Sequence, residues 1–415
     1  MKYLFIVTSY WAFGELQIAV DFASKLRTIG HKVLFLIPPS HENKVKEKNM
    51  PYRILIPNAR ALNKLLFYDI EESFKPDFVV LSDFLNYAFC EKHYGLLEED
   101  LSIFSGRIGA FDLYNFALAG RKIDTYGFRA KEISKLSVDN YDFLLQPCPV
   151  NQLFQDKGPN CFRYRIFEGI PARTEDEYQK ARTSFHIDAS EKIIVMTGAV
   201  WQSSFKPYKQ VKEMVAAVDD RIIKVIRSLP KNYKVYWVGP RFQEFPKELT
   251  QVRHVKGLPP AQFEMLVDSA DVFVSANYIS TSMVRAALRG VPVVLLGNSY
   301  LKRPGEFRSL AHGREIGELK QMDTLYPFRM FPVGWYSFLE PAVRKNPFYE
   351  LAKCVEVFDV PKVLETVKSV ASQSFEQSNS NLCKYRDEWM ELPSVEETVS
   401  AMATAKRTFE RRDTK

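Results

Sequence analysis

The five cysteines of this 415-residue chain, Cys90, Cys148, Cys161, Cys354 and Cys383, contain no C-x-x-C and are odd in number. Scattered in this way they build no disulfide framework and fit a reducing compartment, so a cytoplasmic protein is expected. The six histidines are equally dispersed, which leaves no ligand spacing for a zinc site, and no metal is expected. Neither G-x-G-x-x-G nor a P-loop follows any predicted strand, which argues against a dinucleotide oxidoreductase and a P-loop NTPase. No apolar run approaches the roughly 20 residues of a membrane span. The opening MKYLFIVTSYW has one Lys and a short apolar run stopped by Thr-Ser, so a strand is expected there rather than a signal peptide.

What is present is enough apolar material for two cores: 46% hydrophobic and 13% aromatic residues. The formal charge of +7 is spread among acids rather than massed. Such a bias suits a small anionic ligand better than a nucleic acid.

Strand and helix patterns alternate from the first residues. YLFIVT (3–8) is a short apolar run, and 13–30 carries Leu16, Ala19, Val20, Ala23 and Leu26 at helical spacing. KVLFLIP (32–38) is then a second strand, so the start is a βαβ unit of a parallel sheet. The rhythm continues through a helix at 60–73, a strand at 77–82, a helix at 84–96 and strands at 102–109 and 142–146. The stretch QPCPVNQLFQDKGPN (146–160) interrupts it. It resumes with strands at 192–199, 233–239, 253–258, 271–275 and 291–297 and helices at 208–228, 259–270 and 281–289.

The expected fold is α/β, with two Rossmann-like parallel-sheet domains facing a cleft. The expected boundaries are 1–155 for an N-terminal domain, 156–190 for a linker and 191–385 for a C-terminal domain, which the resemblance described below makes the acceptor and donor domains respectively. A final helix in 386–415 is expected to pack back towards the N-terminal domain. Residues 300–350 show no clean period and read either as a functional loop or as surface elaboration.

Two segments resemble the GT-B glycosyltransferases that use nucleotide sugars to modify small molecules. One is GELQIAVDFASKLRTIGHKVLFL (14–36), similar to that family's first helix and second strand. The other runs from His254 to Val294 and is similar to its donor-binding half. The resemblance implies a nucleoside diphosphate sugar, on UDP or dTDP, as co-substrate, a small-molecule acceptor and no cofactor. The scattered charge and the lack of a long apolar run leave no nucleic-acid partner and no membrane span expected, and the chain is expected to be a monomer or homodimer. The resemblance places the base-recognising loop on Gly257-Leu258-Pro259, with Leu258 as the backbone contact. Counting back from Gly290-Val291-Pro292, the family's diphosphate-binding histidine falls on Asn277, its two glycines on Tyr278 and Ile279, and the acid of the next helix on Arg285. The family's N-terminal catalytic histidine has no counterpart in SYWAFGE (9–15). Alternatives on the same fold are a nucleotide-sugar epimerase, another nucleotide-dependent transferase, or a non-catalytic nucleotide-sugar-binding relative.

Ser280-Thr281-Ser282 stands at a helix start, where unpaired N–H groups and the helix dipole favour an anion. One hydroxyl there suffices as a cap; the remainder are candidate diphosphate contacts. Gly198 and Gly239 end strands and allow close ligand approach, with Trp201 and Arg241 beside them. No D-x-D occurs, which argues against a metal-dependent transferase and leaves leaving-group charge to helix N–H groups and to Arg241, Lys302 or Arg303. An inverting transfer needs a general base. Asp112, among Phe111, Leu113 and Tyr114, is the first candidate, Glu15 at the first helix the second and Asp83 the third.

Overall fold

The computed structural model describes residues 1–83, 87–113, 141–149, 160–199, 209–241, 243–277, 280–297, 300–303, 306–309 and 346–404. Its first sheet contains β1 (Lys2–Ile6), β2 (Lys32–Ile37), β3 (Tyr52–Ile54), β4 (Phe78–Leu81), β5 (Arg107–Phe111), β6 (Phe143–Cys148) and β7 (Cys161–Arg165). The order is β3-β2-β1-β4-β5-β6-β7, and all neighbours are parallel. Continuous apolar runs such as KVLFLI and FVVL form these strands because helices cover a parallel sheet on both faces. Helices α1 (Phe13–Thr28), α2 (Glu42–Glu47), α3 (Arg60–Ser73) and α4 (Tyr87–Tyr94) join them. Phe5, Phe22, Phe35, Phe111 and Tyr164 are fully buried, and each ring lies against another of the group at the heart of this unit.

The second sheet contains β8 (Lys192–Thr197), β9 (Tyr233–Val238), β10 (Val252–Val255), β11 (Val272–Ser275), β12 (Val293–Gly297) and, after the hairpin β13 (Tyr300–Arg303) and β14 (Glu306–Ser309), β15 (Lys353–Glu356). Its order is β10-β9-β8-β11-β12-β15, again parallel. Its helices are α5 (Glu175–Ser184), α6 (Lys209–Ser228), α7 (Pro260–Asp268), α8 (Thr281–Leu288), α9 (Pro347–Leu351) and α10 (Val360–Ala371). They are followed by α11 (Phe375–Met390) and α12 (Val395–Ala403).

The chain forms two compact units, dividing between Glu168 and Gly169 and again between Glu388 and Trp389, so that α12 belongs to the first. The segment 156–190, expected as a linker, contains β7 of the first sheet and α5 of the second unit. The five residues CFRYR are too short and too charged to announce a strand. They are held by pairing with β6 and by Arg165, which donates through its guanidinium to the carbonyls of Met390 (2.8 Å) and Leu392 (2.6 Å). The strand expected at 102–109 begins only at Arg107. Residues Glu98–Ile103 form a 3₁₀ turn instead, because Asp100 turns back to accept the Leu97 N–H at 2.8 Å.

Both sheets reverse strand order once, between β1 and β4 and between β8 and β11. Ligands of open parallel sheets bind outside the carboxyl ends of strands at such reversals. These two places are where a site is sought.

Candidate functional site

At the first reversal, β1 runs out through Thr8 and Ser9, and β4 through Ser82 and Asp83. The Asp83 carboxylate joins the two ends. It accepts the Thr8 N–H at 2.9 Å, the Thr8 hydroxyl at 3.1 Å and the Ser9 N–H at 2.8 Å. Burial raises its pKa to about 6, partly opposed by those same hydrogen bonds. Glu15 stands in the first turn of α1, a helix whose N-cap, Ala12, supplies no side-chain cap. Loss of solvent around the Glu15 carboxyl, then the neighbouring Asp83 charge, lift its pKa to about 7, while its own backbone N–H pulls the other way. A carboxyl that titrates near neutrality, at a strand-end reversal, can both take and hold a proton.

Around Glu15 the surface is aromatic: Tyr10 and Phe13 are exposed, and Trp11 lies edge-on to Tyr10. The end of β2 brings a residue that the sequence did not single out. His41 packs its ring against Phe13, with centroids 4.6 Å apart, and is wholly buried. Burial pushes its pKa down to about 4, so it is neutral at physiological pH and braces the loop from below.

Asp112, the first candidate base, is enclosed in the structure. It does end β5, but it is fully inaccessible and receives Gln146 Nε2 at 2.9 Å, while its N–H donates to Leu145 at 2.7 Å. A general base must lie within hydrogen-bond reach of the acceptor, and Asp112 is held instead by Gln146. Glu15 and Asp83, 68 residues apart in sequence, are the carboxylates brought together.

At the second reversal, Ser275 ends β11 and its hydroxyl ties the next turn, accepting from Asn277 N at 3.1 Å. Asn277 is half-buried beside it; Tyr278 and Ile279 lie outside the described residues. Ser280 is the N-cap of α8, its hydroxyl accepting the Met283 N–H at 3.2 Å. That fixes Ser280 as the capping member of the trio. Thr281 and Ser282 occupy the first turn, half-exposed, with first-turn N–H groups beyond the reach of the cap. Arg285, where the family pattern has an acid, turns to Glu264 on α7.

The two strand-end glycines are explained by close backbone packing where β8 and β9 end. Gly198 donates its N–H to Val238 at 2.9 Å, and a Cβ on it would collide with the carbonyl of Pro240. Gly239 has φ +102°, and a Cβ there would strike the carbonyl of Gly198. The Arg241 side chain is 1% exposed and pairs with Asp219 on α6 at 3.2 Å. Its guanidinium lies 4.5 Å from the Trp237 ring centre and 3.6 Å from that of Phe245. Such a cation is held by aromatic faces and a buried acid. On the other side of β9, Gly257 and Leu258 are open: nothing would meet a Cβ on Gly257, and Leu258 is half-exposed. Trp201 lies outside the described residues, as do the side chains of Lys302 and Arg303, which sit on β13. Among the described residues, no three His, Cys, Asp or Glu side chains gather to hold a metal, and no helix is long and apolar enough to cross a membrane.

Solved structures share this architecture over nearly the whole chain. The spinosyn forosaminyltransferase SpnP is 14% identical with a TM-score of 0.54, covering 97% of this chain and 98% of its own. The spinosyn rhamnosyltransferase SpnG complexed with thymidine diphosphate is 12% identical with a TM-score of 0.52, covering 97% and 100%. The glycosyltransferase SnogD from Streptomyces nogalater is 13% identical with a TM-score of 0.50, covering 98% and 99%. The fold is that of the GT-B glycosyltransferases. No curated protein matches the chain in sequence. A family model described as a family of unknown function, DUF6365, matches residues 22–407.

Proposed function

The chain belongs to the DUF6365 family, and we propose that it is a metal-independent glycosyltransferase moving a sugar from a nucleoside diphosphate sugar to a hydroxyl of a small molecule. The observation that carries this reading is Glu15, a carboxyl of pKa about 7 held beside Asp83 at the strand-order reversal of a GT-B first unit. The histidine missing from 9–15 is replaced in chemistry by the carboxyl that ends this stretch, in the first turn of α1.

In the reaction, the acceptor oxygen attacks the anomeric carbon as the bond from that carbon to the diphosphate breaks, and the configuration inverts. Glu15, ionised, takes the acceptor proton; Asp83 keeps the proton affinity of Glu15 high and ties the ends of β1 and β4 beneath it. In the second unit, the first-turn N–H groups of α8 with the Thr281 and Ser282 hydroxyls meet the charge that grows on the departing diphosphate. The backbone around Leu258 receives the nucleobase, and the aromatic surface of Tyr10, Trp11 and Phe13 receives the acceptor.

Calorimetry against a panel of nucleosides, nucleoside diphosphates and nucleoside diphosphate sugars is the first test, followed by product analysis with hydroxylated acceptors. Binding of a nucleoside diphosphate sugar, with transfer only when an acceptor is present, is the expected outcome. Sugar isomerisation without an acceptor points instead to an epimerase, binding without any turnover to a non-catalytic relative, and no binding to any nucleotide overturns the assignment.

A further inference from the structure

Just past the end of β9, one backbone carbonyl is held by a side chain of the neighbouring strand. His254 on β10 stands level with Trp237 in the β9–β10 register, and its ring reaches further along β9 to Gly239, with Nε2 2.9 Å from the Gly239 oxygen. A carbonyl only accepts, so Nε2 carries the proton and donates it. Nδ1 faces the Glu244 carboxylate at 3.7 Å, and the Glu244 side chain is 85% exposed. The ring stands edge-on to Phe245, with centroids 6.0 Å apart. β10 therefore grips Gly239 twice: the Val255 carbonyl accepts its N–H at 2.9 Å, and His254 donates to its oxygen.

That grip settles the direction of an oxygen. Gly239 stands at φ +102°, a setting glycine reaches freely, and Pro240 after it has no N–H by which the joining peptide could be anchored. The bond from His254 is what orients that peptide. The next carbonyl, that of Pro240, lies over Gly198 at the end of β8. The strand ends follow one another as β10, β9, β8 and β11. On the glycosyltransferase reading, the nucleobase lies at Leu258 beyond β10 and the diphosphate at α8 beyond β11. Three strand spacings, roughly 14 Å, separate these two strands, and a nucleotide between them crosses the ends of β9 and β8, where Gly239 and Gly198 raise no side chain. We propose that His254 is a positioning residue for the donor. By drawing the Gly239 oxygen towards β10, it keeps a negative dipole end off the path of the diphosphate. It also holds the Leu258 loop, which follows on the same strand, in step with the ledge that the nucleotide crosses. This inference rests on the glycosyltransferase reading and adds a residue to its donor side.

Calorimetry with uridine, thymidine, guanosine and adenosine diphosphates tests it. His254→Gln carries an N–H at the place of Nε2 and is expected to keep the wild-type affinity. His254→Asn carries its N–H at the place of Nδ1, short of Gly239, and is expected to bind about tenfold more weakly, as is His254→Leu. Glu244→Gln, which alters the group at Nδ1, is expected to bind as the wild type does. Where turnover is followed, the loss is expected in the donor KM and not in kcat. Melting temperatures on the same samples separate binding from folding. Asn and Leu variants that bind as tightly as a binding wild type overturn the inference and leave the glycosyltransferase reading standing. So does a Gln variant about tenfold weaker than wild type, whether or not the other two fold, because the ring and not the Nε2 bond then matters. A wild-type protein that binds none of the four diphosphates overturns both.

Discussion

Asp83 binds Thr8 twice, taking its backbone N–H at 2.9 Å and its hydroxyl at 3.1 Å, and so closes the end of β4 onto the end of β1. The link turns the strand-order reversal into a fixed platform beneath the first turn of α1. A buried carboxylate used in this way both positions the loop and loads its neighbour Glu15 with proton affinity.

The first prediction separates the two carboxylates weighed as the base. Glu15→Gln removes basicity and keeps shape, and kcat is expected to fall by about two to four orders of magnitude, the share general-base catalysis usually supplies. Donor affinity by calorimetry should stay where it was. Asp112→Asn, altering a fully buried group hydrogen-bonded to Gln146, is expected to lower stability and to leave the turnover of the folded enzyme within a few-fold.

A second prediction concerns pH. Transfer should rise as Glu15 ionises, with an apparent midpoint at about 7 in kcat/KM. Because the Asp83 charge raises the Glu15 pKa, Asp83→Asn should move that midpoint to lower pH while reducing the rate through the loosened β1 loop. The two groups are coupled, so the profile belongs to the pair.

The same raised pKa values act on stability, with a definite sign. A carboxyl whose pKa is higher folded than unfolded binds more protons in the native state, so stability falls as pH climbs from the unfolded value to the folded one. For Glu15 that window runs from 4.5 to about 7, and for Asp83 from 3.8 to about 6. Thermal melts should show the protein losing stability between pH 4 and 7 from these groups, and Glu15→Gln melting above wild type at pH 8. A variant that melts lower at pH 8 contradicts the placement of Glu15.

The serine–threonine–serine trio yields a third, divided prediction. Ser280→Ala deletes the cap of α8 and should destabilise the protein by about 1 kcal/mol, with at most a small loss of nucleotide affinity. Thr281→Ala with Ser282→Ala should do the reverse, keeping the melting temperature and weakening nucleoside diphosphate binding by about tenfold. Chemical denaturation and calorimetry on the same samples read both.

Arg241 supplies the fourth. Its replacement by Ala strands Asp219 without its ion pair and empties the slot between Trp237 and Phe245. A loss of about 3–5 kcal/mol is expected, the range for breaking a buried pair. Whatever fraction stays folded should bind nucleotide as wild type does, which a direct ligand role for Arg241 forbids.

The frame of both units was legible because parallel strands buried on both faces write themselves as apolar runs, as in 32–38 and 291–297. β7 and β15 were not, since CFRYR and KCVE are short edge strands whose identity comes from β6 and β12 beside them. The site was legible in its parts and not in its pairing. Glu15, Asp83 and His41 are distant in sequence, and only the order β2-β1-β4 makes them neighbours. Asp112 and Arg241 share one feature that the sequence does not show. A charged residue at a strand end was read as facing a ligand, when Gln146 in one case and Asp219, Trp237 and Phe245 in the other had already enclosed it.

The edge of the first sheet also sets a timetable. β7 is fastened by late-made residues: Arg165 holds the carbonyls of Met390 and Leu392, its N–H donates to Pro393 at 3.0 Å, and Thr398 Oγ1 donates to the Arg163 carbonyl at 3.5 Å. Those partners leave the ribosome more than 220 positions after β7, as the sequence separations of 225 and 227 record. At about 5–20 residues per second, roughly 10–50 s pass before they arrive. Throughout that interval the Gly169–Glu388 unit is made whole and free to fold, while the unit that begins the chain waits with an unfastened edge. The domain translated first is therefore the domain finished last.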